Sequence, residues 1–273
     1  MKISIDGNTR SASMDQIAYL ENLLKGIDVG NKVRTPSNRN LYIADSDEAA
    51  KDPVKFRSIV MSLMYVAKRT RPDILQEVSY LATKVSNTST EDEFKLDRLI
   101  GFIRGTIQDK LILNPGDLEL SASYSVHYDA KGQTGTIICL GENKSTIMAR
   151  STKQKLVARS STESELIALD ESICYIIWIR RIMEEMGFKQ SQPTKVYQDN
   201  KSTIILSNKG SGFSGGTRHM KNRYYFIKQS IDDGDIELEY LPTNEMIADY
   251  LTKPLGGTRF KNLRSIIMGN KLM

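Results

Sequence analysis

The sequence predicts an α/β fold in which helices surround one mixed β-sheet, preceded by a small unit made mainly of helices. Residues 14–106 repeat apolar side chains at helical spacing. The turn sequence Asn-Pro-Gly-Asp follows at residues 114–117. Beyond it, strand patterns and helix patterns are interspersed, an order typical of an α/β layer. We therefore predict two domains, residues 1–110 and 117–273.

Composition and charge are those of an ordinary globular protein. The 273 residues are 40% hydrophobic and 26% charged, enough for one large core or two smaller ones. The net charge of +5 favours polyanionic partners such as nucleic acid, although an excess of lysine also serves solubility alone. No apolar run approaches the roughly 18 residues of a membrane span, and no signal-peptide pattern occurs. These patterns predict an intracellular protein, cytoplasmic or nuclear, with no membrane partner.

Both cysteines and the single tryptophan lie in apolar stretches. Cys139 ends the run IIC, and Cys174 and Trp178 share the segment SICYIIW. We predict buried free thiols for the cysteines. For Trp178 we predict core packing, with base stacking as the alternative. No Cys and His pair has the spacing of metal ligands.

The first domain begins with a predicted hairpin over residues 1–13, built around an Asp-Gly-Asn turn. Ser13 and Gln16 have capping-box spacing ahead of an amphipathic helix that ends near Gly26. Residues 27–51 are polar and show no periodicity, which predicts a long loop.

Three further helices are predicted from their amino-terminal signals. Asp52 followed by Pro53 is the pattern of an N-cap and a first helical residue. Pro72 has the same position at the start of the next helix. Thr90 and Glu93 have capping-box spacing at the start of the third.

The second domain begins with three strand patterns, followed by a long amphipathic helix. Leu166, Leu169 and Ile173 mark the buried face of that helix. In chain order the predicted segments are LELSASYSV, QTGTIICLG, STIMA, the helix STESELIALDESICYIIWIRRIMEEM, the strand TKVYQ, a helix from Asn200, the helix HMKNRYYFIKQSI, the strand DIELEYL and a helix from Thr243.

Four acidic residues at strand–helix junctions are candidates for chemistry. Asp199 follows the strand TKVYQ and is either a site ligand or a helix N-cap. Asp249 borders apolar residues in the predicted last helix and is either a ligand or a charge at the edge of the core. Glu163 and Glu165 open the long helix, where acids also stabilise the helix dipole. Periodicity does not choose between these two glutamates, because both border the apolar stripe.

Acids on three separate elements favour a magnesium site. Mg²⁺ prefers oxygen ligands and keeps several waters, so a few carboxylates together with substrate phosphate oxygens are enough. Two such ions, roughly 3.5–4 Å apart, can activate water and stabilise the leaving oxygen in phosphodiester cleavage.

Several motifs, in order, resemble one family. The segments ARSTKQKLVARSSTESELIAL, VYQDN, TRHMKNRYYFIK and LPTNEMIADYLTKPL resemble the ribonuclease H domain of copia-type LTR retrotransposon Pol polyproteins. Upstream, FRSIVMSLMYVAKRTRPDILQEVSYLATKVS and DRLIGFIRGT resemble the end of the same polyprotein's reverse transcriptase. The resemblance covers about residues 53–262, and the hairpin more loosely. It implies a ribonuclease H-like fold, a five-stranded mixed sheet with surrounding helices.

The resemblance also implies a catalytic site. In the family, four carboxylates hold two Mg²⁺ ions and cleave the RNA strand of an RNA–DNA hybrid. Glu165, Asp199 and Asp249 match three of these catalytic and metal-binding residues, with Mn²⁺ as an alternative cation. The fourth, a first-strand aspartate, is replaced by Ser121, which weakens metal binding. Asp129 lies eight residues later, too far along a strand that rises about 3.3 Å per residue to substitute for it.

Other residues are implied to face the substrate. The stretch Lys144–Arg159 is basic and rich in hydrogen-bond donors that suit phosphate contacts, with a solvated basic edge as the alternative. We expect His127, near a turn, to be structural or exposed. The predicted substrate-binding residues are Lys153, Gln154, Lys155, Arg159, Asn200, Arg218 and His219.

No polymerase activity is expected from the first domain. A reverse transcriptase needs palm aspartates of the Tyr-x-Asp-Asp type, and no Asp-Asp pair precedes the helical unit. Residues 1–110 resemble the carboxyl-terminal remnant of a reverse transcriptase, with the missing palm region as a partner. The sequence thus predicts a severely impaired RNA–DNA hybrid nuclease. The alternatives are a non-catalytic hybrid- or duplex-binding module and an inert retroelement relic.

Overall fold

The computed structural model divides into two compact units that interleave along the sequence. The first unit comprises Met1–Asn114 and Lys253–Met273, and the second comprises Pro115–Thr252. The predicted second domain, residues 117–273, therefore differs at its end, because the last segment groups with the first unit. The structure describes residues 1–27, 32–43, 48–127, 132–209 and 220–270.

The first unit contains a three-stranded antiparallel sheet in the order β1-β2-β3. β1 (Lys2–Asp6) and β2 (Ser11–Asp15) form the predicted hairpin, and β3 (Leu111–Leu113) pairs with β2. The capping box predicted from Ser13 is wrong, because Ser13 is a paired residue inside β2. The helix that follows, α1 (Ile17–Leu23), begins without a side-chain cap.

Two of the predicted helices of this unit follow their prolines. α2 (Pro53–Ala67) begins as predicted, and the Asp52 carboxylate accepts a hydrogen bond from the Lys55 N–H at 2.9 Å. The proline of the next helix starts a 3-10 turn, Pro72–Ile74, which continues into α3 (Leu75–Ala82).

The cap of α4 (Thr90–Gly105) lies one residue before the predicted one. Ser89 Oγ accepts the Asp92 N–H at 3.2 Å, and Asp92 Oδ2 accepts the Ser89 N–H at 3.1 Å. The prediction of Thr90 with Glu93 is therefore wrong. Ser89 has the extended backbone that an N-cap needs, whereas Thr90 is already helical.

The second unit is built on the predicted five-stranded mixed sheet. β4 (Leu120–His127), β5 (Gln133–Leu140) and β6 (Ser145–Lys153) are antiparallel, and β7 (Thr194–Gln198) and β8 (Ile236–Tyr240) continue the sheet parallel to β4. The order β6-β5-β4-β7-β8 places β4 at the centre, where most of its side chains are buried.

The long helix α5 (Ser161–Glu185) packs on the sheet through its apolar stripe, with Leu166 fully buried.

Of the two cysteines, Cys139 on β5 is buried, as predicted, and burial raises the pKa of its thiol to about 12. The burial predicted for Cys174 and Trp178 is wrong. Cys174 is exposed and Trp178 is 57% exposed, because neither lies on the buried stripe. No helix in the described part of the chain combines enough length and apolarity to cross a membrane.

Shorter elements complete the second unit. The helices α6 (Lys201–Lys209) and α7 (Lys221–Asp232) lie where the sequence predicts helices. The predicted last helix of the second domain is instead two 3-10 segments, Thr243–Glu245 and Ile247–Leu251. Met246 separates them with an extended backbone, which interrupts the helical hydrogen bonds.

The last helix, α8 (Gly257–Ile267), belongs to the first unit. Its Arg264 and the buried Arg71 both bind the carboxylate of Asp73, which is fully buried. Burial by itself raises the pKa of Asp73, but the charges of the two arginines hold it below its usual value. This pairing explains why α8 groups with residues far away in sequence.

Candidate active site

The predicted site acids lie around the carboxyl-terminal half of the central strand β4. Ser123 of β4 pairs with Tyr197 of the parallel strand β7. Continuing this register by two residues places Ser125 level with Asp199, the first residue after β7. Because carboxyl ends of parallel strands are where sites form in α/β sheets, this half of β4 is the candidate active site.

Asp249 meets β4 at Ser125. The Asp249 side chain is fully buried, and Ser125 Oγ donates a hydrogen bond to Asp249 Oδ1 at 2.6 Å. The alternative interpretation of Asp249 as a charge at the edge of the core is therefore wrong. A buried carboxylate of this kind requires hydrogen-bond donors, and the serine hydroxyl supplies one.

A glycine on the neighbouring strand allows this contact. A Cβ atom at Gly135 of β5 would lie 2.9 Å from the Ala248 carbonyl oxygen and 2.7 Å from Thr252 Cγ2. Only glycine therefore fits beneath the 3-10 segment Ile247–Leu251. The Ser151 hydroxyl of β6 also holds this segment, since it donates to the Leu251 carbonyl oxygen at 2.6 Å.

Glu165 and Glu163, which periodicity did not distinguish, have different surroundings. Glu165 accepts a hydrogen bond from Gln198 Nε2 at 3.1 Å, and Gln198 is the last residue of β7. Glu163 instead accepts the Arg159 N–H at 2.6 Å, in the turn before α5. Of the two glutamates, Glu165 is thus the one held at the last residue of β7, which Asp199 follows in the chain.

Asp199 is half-buried, and its Oδ2 atom accepts a hydrogen bond from Thr243 Oγ1 at 2.8 Å. The interpretation of Asp199 as a helix N-cap is wrong, because Asn200 has that role. Asn200 Oδ1 accepts the backbone N–H groups of Ser202 and Thr203 at 3.0 and 3.3 Å. The side-chain amide oxygen of Asn200 thus caps α6. This use disfavours the predicted role of Asn200 in binding substrate.

The strand itself separates the acids into two groups. Tyr124 is fully buried, and its burial and then the charge of Glu165 raise its pKa well above the usual value, with a smaller contribution from Asp199. The next residue, Ser125, points to the opposite face of the sheet and contacts Asp249, because strand side chains alternate. Tyr124, Ser125 and Gln198 were not singled out from the sequence, since nothing local marks them without the register of β4 and β7.

Ser121 is not brought together with the acids. It pairs with Lys195 near the start of β7, four residues before Ser125, which is about 13 Å along a strand. It lines a surface cavity together with Glu119 and Lys195. The position that approaches Asp249 and the end of β7 is Ser125, two side chains further along the same face.

The present arrangement does not fit a preformed two-metal centre. Mg²⁺ requires several oxygen ligands at about 2.0–2.1 Å. Among the residues that the structure describes, no three His, Cys, Asp or Glu side chains are close enough to hold a metal ion. Asp249 and Glu165 instead accept hydrogen bonds from Ser125 of β4 and Gln198 of β7, whose side chains lie on opposite faces of the sheet.

The predicted substrate-binding residues divide into three groups. Gln154 is buried, and its amide bonds to Thr134 Oγ1 and to Ser164, so the structure gives it a structural role instead. Lys153, Lys155 and Arg159 are exposed at the end of β6 and in the turn that follows. Arg218 and His219 lie outside the described residues, as does Asp129.

Sequence comparison relates the chain to transposon polyproteins. The Pol polyprotein of transposon RE1 from Arabidopsis thaliana is 32% identical over 223 residues, or 79% of this chain. That of transposon TNT 1-94 from Nicotiana tabacum is 29% identical over 281 residues, or 98% of the chain. The chain is a relative of copia-type retrotransposon Pol polyproteins. A Ty1 Gag-Pol polyprotein from Saccharomyces cerevisiae also matches, with 29% identity over 86% of the chain.

These Pol relatives are much longer than the chain. The chain spans 21% of the length of the TNT 1-94 polyprotein and 15% of the RE1 polyprotein. No protein-family model matches the chain.

Among solved structures, LC11-RNase H1 is similar over 49% of this chain and 92% of its own chain, with 13% identity and a TM-score of 0.37. The same enzyme in complex with an RNA/DNA hybrid matches with 11% identity and the same TM-score of 0.37.

Proposed function

We propose that the chain is a ribonuclease H-like segment of a retrotransposon Pol polyprotein whose cleavage of RNA in RNA–DNA hybrids is severely impaired. One observation carries this proposal: where β4 approaches Asp249, it offers the hydroxyl of Ser125 and no carboxylate. A hydroxyl is neutral and a much poorer ligand for Mg²⁺ or Mn²⁺ than a carboxylate.

The family resemblance makes Glu165, Asp199 and Asp249 the metal ligands in this proposal. Because Glu165 and Asp249 contact opposite faces of the sheet in this structure, they would have to move together to share a cation. That cation would also lack a carboxylate from the central strand. A hundredfold loss of rate corresponds to only about 2.7 kcal/mol of transition-state stabilisation, less than a metal site contributes. One absent carboxylate is therefore enough to make cleavage very slow.

Two serines of β4 are candidates for the position that the family's first-strand aspartate occupies. The family resemblance implies Ser121, whereas the register of β4 and β7, continued by two residues, supports Ser125. We propose Ser125, because this side chain already contacts Asp249 and lies level with Asp199.

The test is cleavage of a labelled RNA–DNA hybrid, in Mg²⁺ and separately in Mn²⁺. The chain itself, Ser121→Asp, Ser123→Asp and Ser125→Asp are compared. We expect at least a hundredfold gain for Ser125→Asp and no gain for Ser123→Asp, a matched control on the same face of the same strand. A gain for Ser121→Asp alone would move the site to that residue and leave the impairment standing.

Two controls make the result interpretable. Ser125→Asn has nearly the same volume as the aspartate but no charge, so it separates charge from packing. Glu165→Gln in the active background should abolish the gained cleavage. If the unaltered chain cuts efficiently and Glu165→Gln stops it, the proposed impairment is wrong.

The second candidate is a binding module without catalysis, and the exposed side chains of Lys153, Lys155 and Arg159 favour it. Phosphate contacts release counterions, so its affinity for a hybrid should fall steeply with salt, with a log–log slope of about −0.9 per neutralised phosphate. The combined change Lys153→Gln, Lys155→Gln should reduce that slope by about two. An unchanged slope would exclude this surface as the binding site.

A further inference from the structure

A second cavity is lined only by residues of the first unit. Its volume is about 570 Å³, which is within the range of small-molecule sites. The wall is formed by the described loop that begins at Lys32, by the carboxyl-terminal turn of α4 and by α8. The lining residues include Lys32, Arg34, Phe102, Phe260, Lys261 and Arg264.

Every charged side chain that lines this cavity is basic. Lys32, Arg34 and Lys261 are exposed, and the described part of the chain provides none of them with an acidic partner. Three such cations facing one concave surface repel one another and create a positive potential inside it. An anion bound in the cavity would offset that repulsion.

The fourth cation, Arg264, has a different role. Its guanidinium binds the carboxylates of Asp73 and Asp109 and lies 5.2 Å from the centre of the Phe102 ring. These acids balance its charge and fix its position, so it forms a rigid part of the wall. Phe102 and Phe260 pack edge to face, with their centroids 6.0 Å apart, and both are buried. The aromatic floor is therefore closed to stacking with a nucleobase.

We propose that this cavity binds a phosphate-bearing ligand through Lys32, Arg34 and Lys261. Lysine and arginine side chains are the usual partners of phosphate oxygens, and arginine can donate two parallel hydrogen bonds. The closed floor favours recognition of phosphate groups over recognition of a base. Since all these residues belong to the first unit, the site does not depend on the proposed hybrid cleavage in the second unit.

The test uses pyrophosphate as the ligand and calorimetric titration of the whole chain at low salt. A triple variant, Lys32→Gln, Arg34→Gln and Lys261→Gln, removes the cavity cations. A control triple, Lys51→Gln, Lys55→Gln and Lys68→Gln, removes the same charge from exposed positions of the first unit that do not line the cavity. We expect at least tenfold weaker binding in the cavity triple and less than threefold in the control. Arg264 stays unchanged, since its loss would remove one of the two arginines that bind the buried Asp73.

Two results would overturn the proposal. Equal weakening in both triples would show that the attraction is diffuse, and no binding of pyrophosphate to the unaltered chain at millimolar concentration would show that there is no site. The thermal transition of each variant confirms folding, and the single change Lys261→Glu should weaken binding even where the triple variant is unstable.

A competition arm identifies the source of the phosphate. If pyrophosphate displaces a short RNA–DNA hybrid and the cavity triple weakens hybrid binding, the ligand is a nucleic-acid backbone. If the hybrid is unaffected while pyrophosphate still binds, the ligand is a free phosphate or nucleotide. Both results support the cavity as a phosphate site.

Discussion

Two buried carboxyl groups in the first unit show how neighbouring residues decide the ionisation of a side chain. Asp73 binds two arginines, and their charges hold its pKa below the usual value despite burial. Glu77 has one oxygen bonded to the Ser37 hydroxyl at 2.7 Å, and the other has no partner among the described residues. Burial therefore raises the pKa of Glu77 from 4.5 to about 7. The two residues are four positions apart and differ because only one of them has bound cations.

Glu77 makes the stability of the first unit depend on pH. Its pKa is higher in the folded state, so the stability that its protonated form contributes is complete below pH 4.5 and is lost as the pH rises to about 7. Glu77→Gln keeps an acceptor for Ser37 but cannot ionise. At pH 8 we expect the variant to stabilise α3 by about 3 kcal/mol, because one pKa unit is worth about 1.36 kcal/mol. At pH 4 we expect no gain.

Hydrogen exchange of the α3 amides measures this difference in free energy at the two pH values. Glu91→Gln is the control. Glu91 lies in the first turn of α4 and lines a small cavity that Glu77 also lines. If Glu77→Gln increased the stability of α3 equally at both pH values, the increase would come from packing and not from the ionisation of Glu77.

At the scale of the element, the sequence locates a helix more reliably than it locates the residue that caps it. The segment ending at Gly105 was predicted as a helix, and it is one. Ser89 and Thr90 both have side chains that could cap it, and the acids Asp92 and Glu93 follow at matching spacing. Only the backbone angles of Ser89 decide between these two capping boxes. The predicted helix at Asp249 failed for a related reason, since Met246 takes an extended conformation.

The capping assignment of α4 is testable by two single changes. Ser89→Ala removes the oxygen that accepts the Asp92 N–H and should destabilise the first unit by about 1 kcal/mol. Thr90→Ala should cost less than half as much, because Thr90 lies within the helix and alanine has the higher helix propensity. Chemical denaturation followed by circular dichroism compares them. A larger loss for Thr90→Ala would restore the capping box predicted from the sequence.

At the scale of the whole molecule, the two units do not follow the predicted division of the chain. α8 belongs to the first unit, because Arg264 balances the buried Asp73 there and the Met268 carbonyl accepts the Ile112 N–H of β3. These partners are more than 150 residues apart in the sequence. Sequence patterns of one segment contain no information about which distant carboxylate its arginine will meet.

This division predicts that residues 115–252 fold by themselves. They contain the complete five-stranded sheet, α5 and the 3-10 segment of Asp249. We expect a single cooperative thermal transition from this piece, and no increase in its midpoint when residues 253–273 are added. Calorimetry of the two pieces checks this. A clear stabilisation by the added segment would assign α8 to the second unit after all.

The candidate site was predictable in its residue types and only partly in its geometry. The strands and the long helix followed from sequence patterns, whereas Glu165, Asp199 and Asp249 as metal ligands stay a prediction from family resemblance. Gln154 and Asn200 were predicted to bind substrate. Gln154 is instead buried and bonds to Thr134 and Ser164, and the side-chain oxygen of Asn200 caps α6. A polar side chain has the same letter in the sequence whether it faces solvent, a helix end or the core.

The sequence by itself determined the kind of fold, since apolar periodicity and turn residues are local properties of the chain. It also determined that the chain carries serines where the central strand could have supplied an acid. Only the tertiary structure shows which of these serines contacts Asp249. The parallel register pairs Ser121 with Lys195 and Ser123 with Tyr197, so Ser125, and not Ser121, is the serine of β4 nearest in register to Asp199. A strand pairing between distant segments is fixed by packing and hydrogen bonds that no single segment contains.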